Sequence, residues 1–461
     1  MIENIRIQNF KSWRDTGNIR LAPITAFFGT NSSGKTSLLQ MLLMLKQTTE
    51  ASDRAMVLNL GDDRSLTNLG AFQEVIHAHD LKSMLGCQVE WTLPKLLKIS
   101  DTNNPENSPI VSSDRLRFET NIAWEHAGLP ERGRAVVQSF AYHFANLQFG
   151  MQRLSTGLND YKLVNEGTRL KLARAQGRGG PMQTPTKYYG FPDEVRAFYQ
   201  NAGFLADFEL AFETLFKNIY YLGPLREYPK RQYAWAGARP TDMGQRGERV
   251  VDALLASRDS GAYIQSGAGN RLLGLEERVA IWLKELGLIE SFEVRPIKAG
   301  GNLFQVSVKR TRQSSEVLIT DVGFGVSQIL PVITLCYYVP AGSTLILEQP
   351  EIHLHPSVQM GLADVFIDAA KSRNIQIILE SHSEHLLRRL QRRMAENTMK
   401  PDNAALYFCA TEQAGSVLNE LKLDSYGNIT NWPPDFFGDE FGEIAAMSEA
   451  ALDRRGKQEA G

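Results

Sequence analysis

The chain has 461 residues, 43% of them apolar and 22% charged, with a net charge of −2, which is enough chain for about three domains and a large core. That balance excludes a fibre or a disordered polymer, and it gives the whole molecule no reason to attract nucleic acid or anionic membrane nonspecifically. Three widely spaced cysteines, Cys87, Cys336 and Cys409, argue against a disulfide framework or a thiolate zinc site and fit a reducing compartment, the cytoplasm.

The first residues, MIENIRIQNFKSW, alternate as a strand does and lack the basic-then-apolar build of a signal peptide. No uncharged stretch reaches the ~18 apolar residues of a membrane span. An apolar run, Ile24 to Phe28, leads into GTNSSGKT, and a helix-forming run, Leu38 to Lys46, follows it. This is a complete G-x-x-x-x-G-K-[ST] loop in its strand–loop–helix setting, and it fixes a nucleoside triphosphate at this place. Gly29 and Gly34 let the backbone turn its N–H groups inward, Lys35 reaches the β and γ phosphates, and the Thr36 hydroxyl ligates Mg²⁺ at a positive helix N-terminus. Thr30, Asn31, Ser32, Ser33 and Ser37 complete the nucleotide-binding loop.

The middle of the chain is less ordered in pattern. Ser100 to Asp114 is polar, with two prolines and three asparagines, and is expected to be an exposed loop. Arg169 to Lys187 is glycine-rich and basic, either a solvated loop or a contact for phosphates or a partner. Tyr221 to Tyr233 mixes arginine, lysine and tyrosine, as a phosphate or base contact does, or forms a surface turn. From Leu303 the pattern becomes regular: a hairpin (303–309, 316–320), a helix (327–338), a strand (344–349), a helix (358–371), a strand (376–380) and a helix (384–396). Nearly continuous apolar strands alternating with helices are what a parallel α/β sheet requires.

Three segments here bear on chemistry. Asp321 to Pro331, DVGFGVSQILP, is a glycine-loosened turn whose Ser327 is expected to cap the next helix, a helix start being an anion site. In TLILEQPEIHLHP the apolar strand ends on Glu348, placing a carboxylate at the carboxyl edge of the sheet where Mg²⁺ and water are handled. In QIILESHSEH a strand ends at Ser381 and His382.

Phosphate loop, Gly-Ser turn, acidic strand end with PEIHLHP, and a strand ending in SHS stand in the order of the ABC-type ATPases, and the chain resembles their prokaryotic OLD- and RecF-like branch. The resemblance takes in IRIQNFKSW, the SHSEHLLRRLQRR helix and a tail, LDSYGNITNWPPDFFGDEF, similar to a small C-terminal segment of one subgroup; ATPases of this look, with those of PARIS systems as one comparison, are commonly found in antiphage defence modules beside a nuclease or toxin partner. It does not reach residues 95 to 300. It implies an α/β ATPase head of mixed and parallel sheets flanked by helices, with a largely helical middle insertion and no long coiled coil. The implied division is an N-terminal lobe (1–95), the insertion (96–300), a C-terminal lobe (301–400) and a strand-rich segment with its tail (401–461).

By position, the resemblance gives Lys35 and Thr36 the phosphate and Mg²⁺ roles, Glu348 the place of the Walker B carboxylate, His382 that of the γ-phosphate switch histidine, and Gln73 that of a Q-loop glutamine on Mg²⁺. Gly323, Gly325 and Ser327 look like the signature that completes the opposite subunit's site, which implies a head-to-tail homodimer, or a higher homo-oligomer, closing on two ATP molecules. One departure matters. The usual Asp-Glu at the strand end is Glu348-Gln349 here, and an amide cannot accept the attacking water's proton; general-base terms are worth about 10² to 10⁴ in rate, so hydrolysis should be slow. Glu351 is a possible substitute base, or a turn carboxylate after Pro350. His353, His355, His382 and His385 have spacings compatible with metal, but no cysteine is near, and Mg²⁺ is the one metal expected. The arginines 388, 389, 392 and 393 read as the solvated or interdomain face of a helix.

The function implied is an ATP-dependent sensor, switch or scaffold governing an effector, a nuclease or toxin, in antiphage defence. The alternative is a RecF-like DNA-repair or DNA-clamp ATPase touching nucleic acid through local basic contacts. A self-sufficient nuclease ranks last, since no acidic catalytic constellation stands outside the ATPase core.

Overall fold

In the computed structural model the residues described are 1–99, 111–126, 133–154, 160–167, 172–177, 182–261, 263–265, 272–413 and 415–433, with a few positions beyond. A six-stranded central sheet organises them. Its order is an edge strand (Ile219–Leu222), an acidic strand (Thr344–Glu348), a switch strand (Gln376–Glu380), the phosphate-loop strand (Ile24–Gly29), then Ala404–Glu412 and Gly415–Glu420. The first five run parallel and the last pairs antiparallel. All five residues of the acidic strand and of the switch strand are buried, as strands covered on both faces must be.

Two cores form on opposite faces of this sheet. On one face Phe27, Ile346 and Ile378 join the phosphate-loop helix, Lys35–Glu50, and a second sheet. On the other face Phe28, Leu347 and Leu379 pack with residues of the helices Phe324–Tyr338, Pro356–Arg373 and Glu384–Ala395. The last two helices are tied by Arg389 and Arg393 to Asp364, at 2.6 Å each, so part of the arginine cluster serves an interhelix contact. The longest helix among the described residues has 18, and none there is long and apolar enough to cross a membrane.

The second sheet corrects the expected helical middle. Leu85–Ile99, Val111–His126, Gly133–Phe144, Leu147–Arg153 and Tyr161–Glu166 form an antiparallel meander that continues from the first strand, Ile2–Phe10. The division expected at residue 95 therefore falls inside a strand. The cause is a period of two: Leu116, Phe118, Thr120 and Ile122 are buried in alternation, and alternation of that kind specifies a half-buried strand. Helices enter the middle only later, at Asp193–Phe198, Leu205–Lys217, Val250–Asp259 and Leu275–Glu285. The loop expected at 100–114 lies mostly outside the described residues, and Val111 to Asp114 open a strand.

The meander shares a core with the phosphate-loop helix, and the segment that follows the meander holds the helix's far end. Lys187, expected in a solvated loop or in a contact for phosphates or a partner, is buried, and its Nζ donates to the carbonyls of Thr49 and Ala51 at 2.7 Å each. Tyr188 Oη donates to the Leu45 carbonyl at 3.1 Å. A cation set against the unpaired carbonyls at a helix C-terminus complements the helix dipole. The rest of the Arg169 to Lys187 segment is described only in part.

Candidate functional site

The phosphate loop is shaped by two glycines with no room for a side chain. Gly29 has φ 137°, and a Cβ there would lie 2.1 Å from the Cys409 carbonyl oxygen. Gly34 has φ 91°, and a Cβ would meet Ser12 Oγ at 2.6 Å and Trp13 Nε1 at 2.7 Å. Trp13 Nε1 also donates to the Gly34 carbonyl at 3.0 Å, pinning the loop to the N-terminal hairpin. The helix starts at Lys35 with Gly34 as a cap that offers no side-chain acceptor, so its first N–H groups stay available to an anion. Lys35 Nζ lies back across the loop, donating to the carbonyls of Gly29 at 3.1 Å and Thr30 at 2.7 Å. Burial lowers its pKa, and the nearby Glu380 carboxylate partly offsets that. Ser33 Oγ donates to the Thr30 carbonyl at 2.8 Å and braces the turn.

Above the loop is a cavity of about 460 Å³, in the size range of small-ligand sites. Asn31 to Ser37 form one wall; Lys11 and Ser12 form another; Gln349, Glu380 and His382 close the third. A glycine cradle without Cβ atoms, a helix start, an ammonium and a hydroxyl at Thr36 fit a phosphate chain with its Mg²⁺. His382 is exposed at this edge, and partial burial, with Lys35 nearby, lowers its pKa and favours the neutral ring.

Behind the cavity the strand ends bring acids together. Glu348 and Glu380 are register partners on neighbouring parallel strands. Gln349 leaves the acidic strand with φ 42°, and its N–H donates to the Glu380 carbonyl at 2.9 Å. Glu348 accepts a hydrogen bond from Tyr221 Oη at 2.9 Å, and Arg226 Nη2 lies 3.4 Å from its carbonyl oxygen. Burial pushes the Glu348 carboxyl up to about 7 and the Arg226 guanidinium down to about 10. Glu351 does not face the cavity. Its Oε1 accepts from Ser381 Oγ at 2.7 Å and from the His382 N–H at 2.8 Å, fastening the PEIHLHP turn to the switch strand.

The raised Glu348 pKa has a measurable sign. A carboxyl near 4.5 in the unfolded chain and about 7 in the folded one adds stability below pH 4.5 that is lost as pH rises through 7, at most about 3 kcal/mol. Glu348→Gln should therefore raise the melting temperature of nucleotide-free protein at pH 8, with the gain vanishing near pH 4.5. A gain of equal size at both pH values would contradict this.

Several expected site residues stand elsewhere. Gln73 lies in a short helix, Phe72–Val75, whose Phe72 and Val75 are buried, which turns Gln73 outward; it is exposed and does not line the cavity, so the Mg²⁺ role suggested for it is not met. Ser327 is not a cap. The helix begins three residues earlier, at Phe324 after Gly323, and Ser327 Oγ donates back to the Phe324 carbonyl at 2.8 Å. Gly325 and Ser327 do not line this chain's own cavity. His355 caps the helix Pro356–Arg373 by accepting from the Ser357 N–H, and the His353 ring packs on Phe324 at 5.4 Å.

The structure also brings in residues that the sequence did not single out: Glu380, and Tyr221 and Arg226 from a segment expected at the surface or on a ligand. Glu380 had a signal, since IILE before SHS repeats the LILE before QPE. Tyr221 had one in the apolar context of the edge strand that carries it. Lys11 and Ser12 had one in IRIQNFKSW, the N-terminal segment that the resemblance takes in.

A phosphate-loop strand, a switch strand beside it and an acidic strand beyond, all under one cavity, are arranged as a P-loop nucleotide site would require. A family profile described as AAA ATPase domain matches residues 1–106 and 276–387, so the two ends of the chain together are similar to such a domain. A second profile, described as a protein of unknown function (DUF3696), matches residues 399–447. Solved structures similar to this chain include an SMC head bound to the C-terminal winged-helix domain of ScpA, at 12% identity and TM-score 0.44, covering 92% of this chain and 98% of that one. The SMC head domain from Thermotoga maritima is another, at 10% identity and TM-score 0.40, covering 91% of this chain and 99% of that one. No curated protein sequence matches the chain.

Proposed function

We propose that the protein binds ATP with Mg²⁺, hydrolyses it slowly, and uses the bound state as a switch: two copies close head to tail, and the closed form holds or releases an effector such as a nuclease or toxin. The observation that carries the slow-switch reading is Gln349, an amide lining the nucleotide cavity at the end of the acidic strand, where a water-polarising carboxylate would be expected. Glu351, the nearest other acid in sequence, is engaged by Ser381 and the His382 N–H. The part played in antiphage defence rests on the resemblance of the motif order.

Head-to-tail pairing is supported by where the signature lies. Gly323 and Phe324 are exposed at a helix start outside the chain's own cavity, which leaves that start open to the γ phosphate of ATP held by a second copy. Tyr228, 73% exposed, lies against Phe324 at 5.5 Å and adds apolar surface there. Because the Ser327 side chain is buried, Gly325 is the better position to test: a Cβ there would meet only Leu354 Cδ2 at 3.8 Å and the His353 carbonyl oxygen at 3.9 Å. Gly325→Asp should leave folding and single-site ATP affinity intact and abolish ATP-dependent dimerisation, because a carboxylate would face the partner's γ phosphate. Light scattering with and without ATP and Mg²⁺ reads the outcome, and undiminished dimer in the variant would remove the signature reading. Proteins that copurify only in the presence of ATP would identify the effector.

A further inference from the structure

We propose that Glu380 at the end of the switch strand, and not Glu348 alone, is a carboxylate of the Mg²⁺ site, acting with the Thr36 hydroxyl. This rests on the ATP reading above and goes further by assigning the ion to a residue that the motifs do not mark.

Strand order makes the first part of the argument. The switch strand is the direct neighbour of the phosphate-loop strand, and the acidic strand is one further out. Neighbouring strands lie about 4.8 Å apart, so the end of the switch strand is nearer the phosphate loop than the end of the acidic strand by about that distance. Glu380 lines the cavity, whereas Glu348 does not.

Side-chain contacts make the second part. Thr36 Oγ1 donates to Glu380 Oε2 at 2.7 Å, and Lys35 Nζ stands 4.0 Å from Glu380 Oε1. A hydroxyl that gives its proton to a carboxylate keeps its lone pairs for a cation, and metal ligands are commonly oriented by such a partner. Mg²⁺ is usually held by one or two carboxylates together with substrate phosphates and waters. Glu380 sits between the residue expected to ligate the ion and the residue expected to meet the phosphates. Glu348 is turned to Tyr221 Oη at 2.9 Å.

The test is the metal dependence of nucleotide binding, with turnover left aside. A fluorescent ATP analogue is titrated onto full-length wild type, Glu380→Gln, Glu380→Asp, Glu348→Gln and Lys35→Ala, each with Mg²⁺ and with EDTA, and bound Mn²⁺ is followed by electron paramagnetic resonance. Glu380→Gln should lose at least tenfold of the affinity gained from Mg²⁺, while its affinity in EDTA stays equal or rises because a negative charge near the phosphates is gone. Glu380→Asp should recover part of the gain, and Glu348→Gln should lose less than Glu380→Gln. A purely structural role would not show this pattern, since the glutamine amide oxygen still accepts from Thr36. A Glu380→Gln variant that keeps the full Mg²⁺ gain and the wild-type Mn²⁺ signal overturns the proposal. Wild type that binds no better than Lys35→Ala overturns the ATP reading instead, so the two failures are distinct.

Discussion

Lys35→Ala should lower ATP affinity by two orders of magnitude or more without unfolding the protein. The ammonium is held over the loop by the carbonyls of Gly29 and Thr30, where it meets the phosphates of any triphosphate seated on the helix start. Removing one partner of a buried, hydrogen-bonded charge pair costs about 2–5 kcal/mol, and every ~1.4 kcal/mol is tenfold in affinity. Folding should be nearly indifferent. Burial already disfavours the charged lysine, as its lowered pKa shows, so loss of two carbonyl contacts is offset by relief of that burial. Titration calorimetry on the variant, with a melting curve at pH 7.5, checks both halves, and unchanged nucleotide affinity would end the phosphate-loop assignment.

Gln349→Glu should raise the hydrolysis rate by about 10²-fold, the lower end of what a positioned general base supplies. The backbone at this position, with φ 42° and its N–H on the Glu380 carbonyl, is the same for amide and acid, so the change is chemical and not conformational. A third carboxylate beside Glu348 and Glu380 would also have its pKa raised by like charges, toward the range in which a base works best. Single-turnover hydrolysis separates this from the other arrangement. If wild type is already fast and only Glu351→Gln is dead, Glu351 is the working base and Gln349 is not the brake.

The nucleotide cradle and the parallel sheet were legible because each is written locally. The loop's glycines are required by backbone angles and by contacts that exclude a Cβ, and the buried strands 344–348 and 376–380 are apolar without interruption. The meander was not legible, although its alternation is present at Leu116 to Ile122, because polar loops and basic segments around it masked the period of two. Ser327 misled for a different reason: a serine after glycines suits a helix cap, but Gly323 and Phe324 start the helix first. Glu380, Tyr221 and Arg226 come together through pairing of distant strands, which no local pattern encodes.

That pairing governs when the site can exist at all. The phosphate-loop strand bonds on one side to the switch strand and on the other to Ala404–Glu412. The contacts that sew its start in place, such as Gln376 Nε2 to the Ala22 carbonyl, span 354 residues, and the bond from Thr36 to Glu380 spans 344. Loop-closure entropy of that length must be met before such contacts return anything, and non-local parallel pairing is slow for the same reason. During synthesis the phosphate loop is therefore made early and stays open-sided until most of the chain has left the ribosome. The antiparallel meander, whose strands are neighbours in sequence, has no such wait and is the natural first unit to fold. A truncation that removes the strand Ala404–Glu412 should cost the nucleotide site even though no residue of that strand lines it.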